Sequence, residues 1–205
     1  MPVAPDLLHL GQLVAKTHGW PSAKAFKAYS WTEQDQAGIA SCTSQILRRF
    51  PATEGKHDLL TATLAFQLQR HLQRPTHSVP VHLVAGTLSV EGALVLGDRL
   101  PADGTSPFSA NAPDWQGHLW IMIGPHVVDA AIFRLANSPD CPPVLARHVH
   151  SLFGPDKAVY VDQWRRSRRI GLEYNPLYVL SEDDISPLLS AAYQLLDEKR
   201  ANAAS

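Results

Sequence analysis

Cysteine is scarce in this chain. Cys42 and Cys141 are the two present, too few for a disulfide scaffold or a four-thiolate zinc site, and a reducing cytosol is the expected home. An excess of either charge is also missing: 18 Lys and Arg stand against 19 Asp and Glu in 205 residues. A protein built mainly to hold nucleic acid is normally basic, so that class loses ground. No apolar run approaches the roughly 20 residues that cross a bilayer, and no membrane partner is expected. The start, Met1-Pro2-Val3-Ala4-Pro5-Asp6, has no basic region ahead of an apolar run and so no secretory signal. No fixed-period repeat occurs. Apolar residues make up 45%, a globular proportion, and the length suits one domain over 1–205 with its core near 34–180.

The front third carries helical patterns. Leu7, Leu10, Leu13 and Val14 predict a first helix closing before Gly19, and Pro21-Ser22 opens a short segment with Phe26 and Tyr29. Further helices are expected over 34–50, ended by Pro51, and over 58–73, where Leu60, Leu64, Leu68 and Leu72 recur every fourth residue. Strand patterns follow at 79–86 and 87–91, meeting at Gly86, then at 118–123 and 126–129 as a hairpin about Gly124-Pro125. Two more are expected at 158–161 and 177–180. A last helix is predicted with Ser186 as cap and Pro187 in its first turn, before a frayed tail at 201–205. Helices followed by a meandering antiparallel sheet and a closing helix predict an α+β fold. The Pro-, Gly- and Asp-rich stretch 97–117 is expected to lie over a working surface.

The most informative segment is Gly117-His118-Leu119-Trp120-Ile121-Met122-Ile123-Gly124-Pro125-His126-Val127-Val128-Asp129. Alternation puts His118, Trp120 and Met122 on one strand face, and a tight turn brings Asp129 back beside His118. A carboxylate there fixes the tautomer of an imidazole and favours its charged form. Cys42, on a helix packed against the sheet, is the candidate thiolate, and Gln36 is a candidate oxyanion donor.

Cys42 on an early helix, a strand running into glycine at His82-Leu83-Val84-Ala85-Gly86, His118-Leu119-Trp120, and then Val128-Asp129-Ala130 together resemble the transglutaminase-like branch of the papain-like cysteine enzymes. The likeness runs from about 36 to 133. It implies a papain-like core and a cysteine hydrolase or acyl transferase acting on an amide or ester in a peptide, protein or small molecule. Cys42 would be nucleophile, His118 general base and acid, and Asp129 the orienting residue, with no cofactor. In that family the cysteine helix leads straight into the strand, whereas here a whole helix intervenes. Either that helix was inserted after Cys42, or the nucleophile position has passed to Leu59 or Leu60 and the fold is a non-catalytic binding module.

Trp120 is a candidate cleft wall. Trp164, heading the basic run Arg165-Arg166-Ser167-Arg168-Arg169, is a candidate substrate-stacking residue. Cys141, in a turn-rich loop, is expected to be inert. A third reading is a metal-dependent hydrolase using His126, Asp129 and either His148 or His150, whose rings share a face if 148–150 is a strand. No His-Glu-x-x-His or paired-cysteine spacing supports it, and no metal is expected.

Overall fold

A computed structural model describes residues 5–50, 56–73, 79–97, 108 and 117–203. The order is α1 (Pro5–Ala28), α2 (Glu33–Arg49), α3 (His57–Leu72), β1 (Val81–Val90), β2 (Ala93–Leu96), β3 (His118–Ile123), β4 (His126–Asp129), α4 (Ile132–Ala136), α5 (Pro143–Phe153), β5 (Tyr160–Gln163), α6 (Trp164–Arg169), β6 (Leu172–Val179) and α7 (Glu182–Ala203). This is a mixed helical and antiparallel-sheet architecture with a helix at its C-terminal end. Among the described residues, no helix is long and apolar enough to cross a membrane.

Local chemistry accounts for the helix ends. Gly19, at φ 83°, breaks α1 two residues ahead of Pro21, so the two segments expected from the sequence join as one bent element. Thr32 caps α2 by a reciprocal capping box with Asp35. The final helix starts earlier than its Ser186-Pro187 signal suggests. Ser181 Oγ accepts from Asp184 N, and Asp184 accepts from Ser181 N, so the true cap lies five residues upstream and Pro187 falls inside the helix. The helix continues to Ala203, into the tail expected to fray.

β1 organises the sheet. One edge pairs with β3 over Val81–Gly86 and with β2 over Leu88–Val90, while the other pairs with β6 over Val84–Val90. β4 follows β3, and β5 follows β4. The two strands expected to meet at Gly86 are thus one continuous strand. Gly86 faces His118 in the register, and a Cβ there would strike the Asn175 carbonyl and come within 2.7 Å of the Trp120 ring. Glycine is what lets β6 and that indole approach.

All six residues of β3 are buried, so the sheet is covered on both faces. Alternation sorts them. Leu119, Ile121 and Ile123 join Leu83, Ala85 and Val128 under α2, α3 and α7. Trp120 and Met122 join Val84, Leu88, Val127, Tyr160 and Tyr174 under α1, α4, α5 and α6.

Candidate functional site

The tight turn at Gly124 sets Ile123 opposite His126 and Ile121 opposite Val128, so the continuing chain carries Asp129 to the start of β3. There His118 Nε2 donates to Asp129 Oδ2 over 2.6 Å. Tyr174 Oη donates to the same oxygen at 3.0 Å. The other oxygen accepts from the backbone N–H groups of Ala131 and Ile132 at 2.9 and 3.0 Å, tying the hairpin to the start of α4. Asp129 is fully buried and His118 is 2% exposed. Four donors therefore converge on one interior carboxylate, the condition under which a buried charge is tolerated.

Electrostatics follow this geometry. Burial alone would lower His118; the charge and hydrogen bond of Asp129, reinforced by Asp58, reverse the sign and raise it above the ordinary imidazole value. Burial and the Asp129 charge hold Tyr174 well above the usual phenol range, so it remains a donor. Asp58, in the first turn of α3, is pushed up to about 6 by burial against the opposing pull of His118. His57 is lowered, chiefly by burial and then by the charges of His118 and Arg134. Arg134 donates to the carbonyls of Leu47 and Phe50, drawing the C-terminal end of α2 toward α4.

Cys42 stands apart from this group. It is buried among Ile39 and Ile46, in the layer beneath α2 and α3. His118 shares the opposite sheet face with Trp120, whose ring stacks on it at 6.1 Å. The part of α2 that Arg134 grips is its C-terminal end, and Cys42 lies about 12 Å farther back at 1.5 Å per residue. Burial pushes the Cys42 thiol up, opposite to the shift a nucleophile needs. Its position in the middle of α2 also denies it the field of a helix N-terminus. Among the described residues, no hydrogen bond links it to His118. The structure joins His118 to Asp129 and packs Cys42 in the apolar layer under α2 and α3.

The remaining sequence candidates are placed as follows. Trp120 and Trp164 are 0% and 2% exposed, packed at 6.3 Å from each other and each near Tyr174, so both are core rather than wall or stacking surface. Gln36 is exposed on α2 and lines a cavity of about 390 Å³ with Trp31, His126 and Arg166. His148 and His150 lie on a helix, not a strand, so their rings diverge: His148 Nε2 meets the Ile170 carbonyl, and His150 Nε2 meets Asn137 Oδ1. His126 packs at a tilt against Trp31, with ring centroids 4.3 Å apart. Cys141 donates weakly to the Pro142 carbonyl. Most of the expected loop over the working surface, at 98–107 and 109–116, lies outside the described residues.

Tyr174, His57, Asp58 and Arg134 escape sequence reasoning. Tyr174 arrives through β6, whose pairing with β1 is remote in sequence. Asp58 carried a usable signal, an acidic residue at the start of the helix that precedes the glycine strand. No family model, curated protein or solved structure matches the chain.

Proposed function

We propose that the chain is a catalytically silent protein of transglutaminase-like, papain-like build, working as a binding module. The observation that carries this reading is the burial of Cys42 among apolar side chains in the middle of α2, with no hydrogen bond to His118 among the described residues. Support also comes from α3, which packs on β1 and β3 and starts beside His118, the place where a papain-like enzyme presents its thiolate. In this chain that first turn holds His57, Asp58, Leu59 and Leu60. The His118–Asp129–Tyr174 group then serves the fold: it closes the hairpin, caps α4 and fastens β6 to the sheet.

Iodoacetamide labelling tests this reading. Wild type and His118→Gln are expected to alkylate Cys42 at the same slow rate in the native state, rising only when the chain unfolds. Rapid native labelling that disappears in His118→Gln overturns the reading and restores a thiolate–imidazolium pair.

A further inference from the structure

Where the bend of α1, the start of β1 and the start of α7 meet, the surface opens into a cavity of about 650 Å³. That is within the range of small-molecule sites. His82 forms part of its wall. The residue is 7% exposed, yet neither ring nitrogen has a hydrogen-bond partner among the described residues. Its neighbours are the rings of His18 at 5.1 Å and Phe26 at 5.8 Å, which offer packing rather than a hydrogen bond to its edge. A buried imidazole whose two nitrogens meet no protein partner calls for one, and the adjoining cavity has room for it.

Several donors of the lining are spent on carbonyls. His18 Nε2 meets the Leu180 carbonyl at 3.0 Å and must carry the proton, because a carbonyl only accepts. Ser22 Oγ donates to the His18 carbonyl, Gln69 Nε2 to the Val81 carbonyl and Ser186 Oγ to the Glu182 carbonyl. What remains includes the acceptors His18 Nδ1, Gln69 Oε1 and the Glu182 carboxylate, with the Gln73 amide at the margin. Among the described residues, the lining holds no lysine or arginine, while Phe66, Val79, Ile185 and Leu189 supply apolar wall.

Extending the binding-module reading, we infer that this cavity takes a small organic amine, an ammonium group on an apolar body. Glu182 and the imidazole acceptors of His18 and His82 hold the N–H donors, and Phe66 and Leu189 receive the body. Burial lowers His82 to about 4, which keeps the ring a neutral acceptor beside a cation. Among the described lining residues an anion finds no lysine or arginine and meets the Glu182 carboxylate instead.

Tryptamine and indole-3-propionate present the same ring with opposite charge, and calorimetric titration of the full chain with each is decisive. Saturable tryptamine binding is expected, at least about tenfold tighter than that of the acid. Glu182→Gln should weaken it several-fold, and His82→Phe about tenfold. Absence of saturable tryptamine binding, equal or tighter binding of the acid, or wild-type affinity in either variant overturns the inference. If His82→Phe fails to fold, Glu182→Gln at the exposed rim decides alone. Failure here leaves the alkylation result intact, and His118-dependent labelling of Cys42 leaves this titration intact.

Discussion

His82 and His118 lie at opposite ends of the paired stretch of β1 and β3, on the same sheet face, and both are less than a tenth exposed. Burial pushes both imidazoles toward the neutral form. At His118 a carboxylate 2.6 Å away, with Asp58 behind it, overrides burial and raises the ring. At His82 the ring neighbour is another imidazole, His18, and burial takes the ring down to about 4. One sheet face thus holds a satisfied histidine that fastens strands together and an unsatisfied one beside a cavity. Partner chemistry, rather than depth, separates structural from available groups here.

The contrast breaks most severely at Asp129. Asp129→Ala should cost about 3–5 kcal/mol in urea unfolding, because it strands His118, Tyr174 and two backbone N–H groups in the interior. The two histidines should then respond to pH with opposite signs. For His82 the folded value lies below the unfolded one, so the unfolded chain binds the extra proton, and stability falls as pH drops from about 6.5 toward 4. His82→Phe should remove that loss, leaving the variant more stable than wild type by up to about 3 kcal/mol near pH 4 in thermal unfolding. For His118 the folded value lies above the unfolded one. Its contribution is fully present below about pH 6.5 and is lost as pH rises through the raised folded value. His118→Gln should therefore lose about 1–3 kcal/mol below pH 6, with the gap to wild type narrowing on the alkaline side. The smallest effect belongs to Cys42→Ala: about 1 kcal/mol in stability, and no change in the NMR titration of His118.

The approach of His118 to Asp129 was legible because alternation and a tight turn settle it within a dozen residues. The helical periodicities of α2 and α3 were equally local and left the correct faces apolar. Periodicity does not say how far along a helix a side chain lies from a strand residue, so the pattern that put Cys42 on a helix against the sheet could not set its position relative to His118. Pairing between β1 and β6 joins segments far apart in sequence, which hid Tyr174 and the length of β6, expected to begin near 177 but starting at Leu172. The alternation of His148, Val149 and His150 suited a strand. Pro143 at the first position and the left-handed Gly154 at the end instead make this segment a helix. Trp164 illustrates a different failure: its basic neighbours face water while the indole turns inward.

Gly86 carries a consequence for sequence change. It stands opposite His118 at the crossing of β6 and Trp120, where even a methyl group has no room. In a library of random variants selected for solubility, codon 86 should come back unaltered while its neighbours drift among aliphatics. The least chemically endowed residue of the strand would then be its least replaceable.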